Sequence, residues 1–346
     1  MLYGEFLRKL PKVELHCHLE GSVRPDTAIE LAKAHDVELP SDEPERLYDY
    51  DNLPDFLVVY VAISRSIVSR DEFARVTFES LEDGVTLGNL KYREMFYNPT
   101  NHYAYGVDYR TSLDGVIDGI RQAEERYGVR CRLIVGINKY DGPEAATELV
   151  REVLEHPRDE VIGIGSDHLA PDNHERPEMF ADAYRLAREG GLRVTAHAGE
   201  IDSSSAQDVL AAMDELGCMR IEHGYHVIDD PEAVDRCRRE RVAFTCCPHS
   251  SEKLSGWTDY PTHPIKRMLD EGLLVCFNTD DPPMFHTDIG WEYEDTCQRM
   301  GLGPDEATRI VMNGLEATWL PDDEKAETRA AFEAEIASLR DELVRS

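Results

Sequence analysis

Eight apolar segments alternate with longer helical patterns along the chain, and this alternation constrains the fold more than any other feature of the sequence. The apolar segments have strand-like lengths and are rich in β-branched and aromatic residues. They span residues 13–18, 90–97, 130–137, 161–166, 192–198, 220–224, 242–247 and 274–279. Helical patterns between them include 143–154, 179–189, 206–216 and 231–240. Eight strands with helices between successive ones predict an α/β fold, the closed parallel (β/α)8 or TIM barrel.

Two stretches exceed what a minimal barrel requires. Residues 19–89 are far longer than one helical connection, so we expect a helical insertion after strand 1 that covers part of the barrel mouth like a lid. Its helical patterns lie at 25–35, 53–69 and 71–87. Residues 322–346 have the alternating charges of a solvated helix that packs on the outside of the barrel. We therefore expect a single domain over residues 1–346 with these two additions.

The chain is strongly acidic. Asp and Glu total 69 against 37 Lys and Arg, which gives a formal net charge of −32. A field of this sign repels phosphate backbones and anionic lipids, so nucleic acid and membranes are excluded as main partners. The acidic residues are spread along the chain rather than collected in one tail. We interpret this pattern as a halophilic surface, adapted to high salt.

Neither a membrane helix nor a secretory signal is indicated. No stretch approaches the roughly 18 apolar residues that a membrane helix needs, and the charged N-terminal segment lacks an apolar run and a cleavage site. We expect a cytoplasmic protein. The eight cysteines are irregularly spaced and include no C-x-x-C pair, so we interpret them as reduced core residues. Nothing in the sequence indicates an oligomeric state.

Metal-binding residue types occur where several predicted strands end. His16 and His18 are two residues apart in strand 1, so both imidazoles project from one face. His197 ends strand 5 and Asp280 follows strand 8. The carboxyl ends of barrel strands meet at one rim, where such folds build their active sites. Three histidines and an aspartate form a ligand set suited to catalytic zinc, with a position left for water. We expect one Zn²⁺ per chain at these four residues.

Three further polar residues at the same rim fit the hydrolysis of an aromatic amidine. Zinc lowers the pKa of bound water toward about 7, but attack on the amidine carbon also requires a protonated ring nitrogen. Glu200 lies beside a ligand without being one, so we expect it to be that acid. His223 is placed to hold the water and stabilise the developing oxyanion. Asp280 is placed to take the water's proton, and Asp281 to share a hydrogen bond with a ring nitrogen.

The segments that contain these residues resemble the adenosine deaminase family of the amidohydrolase superfamily. They are LPKVELHCHLEG (10–21), TAHAGE (195–200), IEHG (221–224), CPHSS (247–251) and NTDDPPMF (278–285). They occur in the family's order and span almost the whole chain. The resemblance implies one zinc ion and hydrolytic deamination of a 6-aminopurine or its nucleoside, with ammonia released. It also implies that Glu200 protonates N1, that Asp281 faces N7, and that His18 and Glu20 contact the substrate.

The expected reaction is deamination of adenosine (and 2′-deoxyadenosine) to inosine plus ammonia, but two departures from the family concern the substrate. Nucleoside enzymes often have an aspartate near the sugar where this chain has Glu20. A glycine after strand 4 usually offers its N–H to purine N3; if Pro171 falls at that position, the N–H is missing. Residues 94–102 are similar to adenine deaminases as much as to nucleoside enzymes. The alternative is therefore an adenine deaminase, or a deaminase of a modified adenine nucleoside, with the same mechanism.

Two other classes of protein fit the sequence less well. A metal-dependent amide or ester hydrolase would share the fold, and its two-metal members carry a bridging lysine at the end of strand 4. Strand 4 here ends without one, and we interpret Lys139, which follows strand 3, as a solvent-facing residue. A catalytically dead purine-binding protein is a remote alternative, because every expected catalytic residue is present.

Several aromatic residues near the predicted mouth allow two interpretations. Three histidines are either substrate contacts or ordinary loop residues, and the second is the more common case: His249, His263 and His286. Three tyrosines either stack on a purine face or pack the long insertion: Tyr97, Tyr103 and Tyr105.

The acidic surface predicts a salt-dependent stability. Because dissolved ions screen the repulsion between surface carboxylates, we expect the melting temperature to rise steeply between low and molar KCl. Thermal unfolding followed by circular dichroism across that range measures the effect. A flat response would contradict the interpretation of the surface as adapted to high salt.

Overall fold

The computed structural model describes residues 1–50 and 53–344, and its strands form a (β/α)8 barrel. The strands are β1 Lys12–Glu14, β2 Leu90–Tyr97, β3 Arg130–Asn138, β4 Val161–Asp167, β5 Arg193–Val194, β6 Ala196–Ala198, β7 Arg220–His223, β8 Ala243–Cys246 and β9 Leu274–Phe277. β5 and β6 occupy a single barrel position that is interrupted at Thr195. The backbone N–H of Thr195 still donates to the Ile164 carbonyl at 3.1 Å, which keeps this position joined to β4. The predicted fold class is confirmed.

All neighbouring strands are parallel, in the order β1 to β5 and β6 to β9. The barrel closes just beyond the ends of the first and last strands. There the His18 N–H donates to the Asp280 carbonyl at 2.8 Å, and the Asp280 N–H donates to the His16 carbonyl at 3.1 Å. The closing contacts of the barrel are thus made by residues predicted to bind metal.

Strands β1 and β9 are shorter than the sequence predicts, because side chains replace part of the backbone ladder between them. The Leu15 N–H donates to the Asn278 Oδ1 at 2.7 Å. The Thr279 N–H donates to the Glu14 Oε1 at 3.2 Å. Such bonds satisfy the backbone while leaving the chain free to bend, so the following residues leave the sheet and turn into the mouth.

Helices surround the barrel and extend it at both ends of the chain. Among the described residues they are α1 Tyr3–Lys9, α2 Pro25–Ala34, α3 Leu53–Ser66, α4 Arg70–Gly88, α5 Thr100–Tyr103, α6 Tyr109–Tyr127, α7 Gly142–Glu155, α8 Ala181–Glu189, α9 Ala206–Ala211, α10 Pro231–Glu240, α11 Pro248–Ser255, α12 Pro264–Asp270, α13 Ile289–Arg299, α14 Pro304–Ala317 and α15 Asp322–Val344. The insertion after strand 1 contains α2, α3 and α4. Helix α15 packs on α1 and α14 and buries Phe332, Ile336 and Leu339.

A layer of charged side chains lies inside the barrel. Arg220 of β7 forms an ion pair with Glu94 of β2, and its Nε lies 3.4 Å from the Glu222 Oε1. The Arg220 guanidinium also lies 3.8 Å from the centre of the Trp319 ring. The arginine and both glutamates are buried. A buried charge is tolerated only when it is paired, so these side chains fix one another's positions.

The cysteines lie in the core, and the described helices do not have the length and apolar character of membrane spans. All eight cysteines are buried and unpaired, as expected for reduced core residues. Burial raises the pKa of several of the thiols, including Cys17 and Cys131, which keeps them protonated. Within the described ranges, every helix is too short or too polar to cross a bilayer.

The ion pair between Arg93 and Glu14 predicts a large loss of stability when it is broken. The Arg93 Nε and Nη2 lie 2.7 and 2.6 Å from the Glu14 Oε2, and both side chains are buried. Arg93→Leu leaves the carboxylate without its charge partner, so we expect unfolding to become easier by about 3–5 kcal/mol. Urea unfolding at fixed KCl measures this difference.

The matched control for this variant is Arg185→Leu. Arg185 bonds Asp182 and Glu189 on the surface, where an ion pair contributes about 0–1 kcal/mol. If the two variants were destabilised equally, the buried pair would not hold β1 against β2 as described.

Candidate metal centre and active site

Four side chains from three strand ends converge inside the barrel mouth. His16, His18, His197 and Asp280 are buried, and one ligand atom of each lies within 4.8 Å of those of the others. The Nε2 atoms of His16 and His197 are 3.1 Å apart. The Asp280 Oδ1 lies 3.3 Å from the Nε2 of His16 and 3.3 Å from that of His18. Lone pairs directed at one point in this way fit a divalent cation, and the donor types suit zinc.

Buried carboxylates stand behind two of these imidazoles. The His16 Nδ1 lies 3.2 Å from the Glu222 Oε2 and 3.2 Å from the Thr245 carbonyl. Both neighbours are acceptors, so Nδ1 carries the hydrogen and Nε2 keeps its lone pair for a metal. On the other side, the His18 Nδ1 lies 3.6 Å from the Asp167 Oδ2. Glu222 thereby sets the orientation of His16, whereas Asp167 lies near His18 and bonds Asn98 and His168.

Left-handed backbone turns aim the site residues into the mouth. His223 and Asp280 have φ angles of 66° and 63°, a region that non-glycine residues seldom adopt. Gly224 follows His223 with φ of 73°, and a Cβ on this glycine would lie 2.3 Å from the Phe244 ring. The E-H-G sequence is therefore required for the turn itself, because only glycine fits against Phe244 in this conformation.

Glu200 and His223 face each other beside the metal ligands. The Glu200 Oε1 lies 3.5 Å from the His223 Nε2, which is 3.9 Å from the Asp280 Oδ2. Burial, then the nearby charges of Asp280 and Glu175, raise the pKa of Glu200 to about 8. Burial and the neighbouring His16 hold the pKa of His223 well below its usual value. A protonated carboxylic acid and a neutral imidazole can therefore coexist here at neutral pH.

A cavity of about 360 Å³ opens over these residues. Its inner wall contains His18, His197, Glu200, His223, Asp280 and Asp281. The rest of the wall has an apolar part, made of Phe56, Leu57 and Tyr60 from α3, Leu169 from the loop after β4, Ile201, and Leu254 from α11. It also has a polar part, made of Asp167, His168, Asp202, Ser203 and Ser255. Helix α3 of the insertion thus forms part of the wall, so the insertion contributes directly to the site.

Asp281 is a buried carboxylate with an unused oxygen. It lines the cavity, and its Oδ1 has no hydrogen-bond partner among the described residues. Burial, and then the charge of Asp280, raise its pKa well above the usual value. Gly21 packs directly on this side chain, since a Cβ at residue 21 would lie 1.6 Å from the Oδ1. The oxygen is therefore available to a ligand and its position is sterically fixed.

Glu20, which we expected to contact the substrate, does not line the cavity. Its side chain is completely buried, and its Oε1 accepts hydrogen bonds from the Asn98 N–H at 3.0 Å and from the His102 Nε2 at 3.2 Å. The carboxylate is drawn toward the segment after β2 because that segment supplies the donors. Pro171 is exposed and also lies outside the cavity wall, whereas His168 and Leu169 of the same loop line it.

The interpretation of Lys139 as solvent-facing is wrong. The side chain is 1% exposed, and its Nζ donates to the His197 carbonyl at 3.1 Å. Lys139 begins a 3-10 turn at the end of β3, which directs the side chain toward the neighbouring strand ends. Burial lowers its pKa, but the charges of Glu175 and Glu200 oppose that shift. The His197 carbonyl and the charge of Glu175 offset part of the cost of burying this ammonium group.

The other aromatic candidates lie away from the cavity wall. Tyr97 is buried and bonds Ser112, and Tyr103 bonds Glu152 on the surface. Tyr105 lies beside Arg65. The three candidate histidines have protein partners instead: His249 pairs with Glu292 and Asp295, His263 contacts Ser251, and His286 contacts the Tyr48 carbonyl. None of these six residues lines the cavity, and Tyr105, beside Arg65 of α3, contacts the insertion as the packing alternative expects.

Several site residues carry no sequence signal strong enough to identify them. Glu175 lies in the loop after β4, outside the segments that resemble the family. Phe56 and Tyr60 belong to a helix whose apolar pattern does not say which residues reach the mouth. Glu222 and Ser250 did lie in those segments; the Ser250 hydroxyl donates to the Asp280 Oδ2 at 2.6 Å. Their membership of those segments was the available signal.

Comparison with known proteins places the chain in a family. The sequence model of the family described as adenosine deaminase matches residues 11–334. A relative from Cupriavidus necator named adenine deaminase is 36% identical over 327 residues, which cover 94% of this chain and 92% of the relative. An amidohydrolase structure from Burkholderia ambifaria with bound zinc is 33% identical, with a TM-score of 0.92 and coverage of 100% of this chain and 96% of that one.

A second solved structure gives the same result. The adenine deaminase of Arthrobacter aurescens is 30% identical, with a TM-score of 0.87, and the match covers 97% of this chain and 99% of that one. These similarities identify a hydrolase that acts on C–N bonds. The chain belongs to the adenosine deaminase family.

Proposed function

We propose that this chain is a zinc-dependent adenine deaminase, which hydrolyses free adenine to hypoxanthine and ammonia. The observation that carries the choice of the free base is the position of Glu20, which lies outside the cavity wall. The names of the relatives support the same choice. Adenosine, the substrate that the motifs alone favoured, has less support than adenine.

A sugar would not find the Glu20 carboxylate among the polar groups of this cavity. The Glu20 carboxylate, which takes the place of the aspartate near the sugar in nucleoside enzymes, bonds Asn98 and His102 instead. The apolar part of the wall presents groups such as Phe56, Leu57 and Leu254. Burying a hydroxyl without a partner costs about 1–3 kcal/mol. A substrate without ribose avoids this penalty.

One zinc ion per chain would be held by His16, His18, His197 and Asp280. Their convergent lone pairs and the bound zinc of a similar structure support this assignment. When bound, zinc supplies a Lewis acid that lowers the pKa of a coordinated water molecule toward about 7. Glu222 holds His16 in the tautomer and orientation that such binding requires.

Glu200 is the general acid in this proposal. A carboxyl group with its pKa raised to about 8 is mostly protonated at neutral pH and can donate to purine N1. Protonation of N1 makes C6 more electrophilic, so that water adds there and ammonia leaves. The short separation from His223 keeps the acid next to the reacting carbon.

In this proposal Asp280 accepts a proton from the attacking water, and His223 stabilises the charge that develops on its oxygen. The Asp280 Oδ1 faces His16 and His18, while its Oδ2 faces Ser250 and His223. One oxygen can therefore bind the metal while the other accepts the water's proton. The His223 Nδ1 contacts the Tyr225 hydroxyl at 3.0 Å, which fixes the ring so that Nε2 points toward the oxygen that develops charge.

Asp281 would recognise the imidazole edge of the purine. Its raised pKa favours the protonated form, which can donate a hydrogen bond to N7. The unpaired Oδ1 and the adjoining Gly21 support this role, since the oxygen is free and cannot move toward residue 21. His18 lies on the same inner wall and would contact the substrate beside the metal.

The chain is proposed to act as a single catalytic domain over residues 1–346. In this view residues 19–89 form a lid-like insertion, supported by the cavity contacts of Phe56, Leu57 and Tyr60. Residues 322–346 add an outer helix, which α15 represents in the described part of the chain.

Glu200→Gln tests the chemistry. Glutamine cannot donate the proton, so we expect kcat to fall by about 10²–10⁴ with zinc content unchanged. The parent enzyme should lose activity as the pH rises through about 8, because Glu200 must be protonated to act; the residual activity of the variant should lack this loss. Ammonia release and metal analysis measure both effects.

Asp280→Ala is the contrasting variant for that experiment. Removing a proposed ligand should reduce zinc content and activity together, whereas Glu200→Gln should reduce activity alone. Full activity of Glu200→Gln, or full zinc occupancy of Asp280→Ala, would contradict the assigned roles.

The choice of substrate is tested by ammonia release from the zinc-loaded protein in molar KCl, with adenine, adenosine and 2′-deoxyadenosine compared. We expect kcat/KM for adenine to exceed that for the nucleosides by at least about tenfold, the effect of one unpaired hydroxyl. Asp280→Ala purified in the same way controls for contaminating host deaminases. Faster turnover of the nucleosides would return the assignment to adenosine, and no turnover of any of the three would indicate a modified purine.

A further inference from the structure

The turn from His197 to Glu200 carries both a proposed zinc ligand and the proposed acid. Gly199 lies between them with φ of 74°, and a Cβ at this residue would come within 2.8 Å of the Val209 side chain. Because the turn leaves the sheet at the end of β6, strand pairing does not determine where Glu200 points. The orientation of the acid must come from contacts outside the strand.

Glu175 makes such a contact with both of its oxygens. Its Oε2 accepts a hydrogen bond from the Gly199 N–H at 2.6 Å, and its Oε1 accepts one from the Glu200 N–H at 2.9 Å. The side chain is 2% exposed, although it belongs to the loop between β4 and α8. Hydrogen bonds to an ionised acceptor are about twice as strong as neutral ones, so this carboxylate clamps two successive peptide groups.

Two other segments bond carbonyls of the same turn. The Lys139 Nζ donates to the His197 carbonyl, and the His226 N–H donates to the Gly199 carbonyl at 3.0 Å. Lys139 also supplies positive charge near Glu175, which would otherwise be an uncompensated buried anion. The turn is therefore held from the ends of β3, β4 and β7, and Glu175 alone binds the peptide N–H of the acid itself.

We propose that Glu175 is a positioning residue that orients Glu200 toward the purine. The inference rests on the proposed function, because it takes Glu200 as the acid of the deaminase. Glu175 does not line the cavity, so it acts through the backbone of the turn rather than on the substrate. A displacement of about 1 Å in a catalytic group can reduce the rate by about 10².

The experiment is a double-mutant cycle on the zinc-loaded enzyme with adenine as substrate. It compares Glu175→Gln, Glu200→Gln and the double variant by kcat, KM, zinc content and melting temperature. Glutamine keeps the shape but presents an amide N–H₂ to one of the two N–H groups, so the clamp is lost. We expect Glu175→Gln to lower kcat by about 10–10², with KM within about twofold and zinc retained.

The combination of the two variants distinguishes positioning from a structural role. If Glu175 acts through Glu200, the second substitution should lower kcat by less than about twofold once Glu200 is glutamine. A loss of the same factor in both backgrounds would overturn the inference, as would loss of zinc from Glu175→Gln, because the clamp would then act through His197. Unchanged kcat in Glu175→Gln would overturn it as well.

Two further variants complete the test. Glu178→Gln, an exposed carboxylate close to Glu175 in sequence, is the matched control and should leave kcat unchanged. Glu175→Asp keeps the charge and both acceptor oxygens on a shorter side chain, so it should recover part of the kcat that Glu175→Gln loses. If Glu175→Gln does not fold, Glu175→Asp takes its place in the double-mutant cycle. Failure of the proposed function has a different signature, namely full activity in Glu200→Gln.

Discussion

The geometry of the mouth depends on the buried contact between Glu222 and His16. The carboxylate lies behind the imidazole and holds its Nδ1–H, so that the Nε2 lone pair points at His197 and Asp280. Glu222 accepts hydrogen bonds from the Thr195 and Thr245 hydroxyls and lies near Arg220, which stands on the Trp319 ring in the barrel interior. The geometry of the proposed zinc ligands is thus continuous with the ionic layer of the core, and the orientation of His16 is decided in the barrel interior.

Three carboxyl groups crowd this mouth, and their surroundings separate them chemically. The surrounding histidines, His16 first, outweigh burial and hold the pKa of Asp280 well below its usual value. Burial raises the pKa of Glu200 and of Asp281 instead. One group is therefore suited to be an anionic ligand, one to donate a proton and one to donate a hydrogen bond. This division of roles arises from position alone, since aspartate and glutamate are chemically alike.

The sequence alone predicts the barrel and those site residues whose positions follow from strand geometry. The two-residue period of a strand places His16 and His18 on one face, and the parallel barrel brings His197 and Asp280 to the same rim. The sequence was insufficient for contacts between loops. Lys139 was expected in solvent because an isolated lysine usually is, and only the three-dimensional arrangement brings Glu175 close enough to bury it. The orientation of Glu20 was not predictable from the sequence for the same reason, because its hydrogen-bond donors, Asn98 and His102, belong to the segment after β2.

The contact between Gly21 and Asp281 has an evolutionary consequence. A side chain at residue 21 would occupy the space of the Asp281 carboxylate, so Gly21 cannot change while Asp281 is retained. The apolar part of the wall is different, because Leu57, Leu169 and Leu254 reach the cavity with side chains that can be exchanged for others of similar volume. Substitutions in this apolar part can therefore change which groups fit beside the substrate, while the edge formed by Gly21 and Asp281, which we propose faces the purine, is retained.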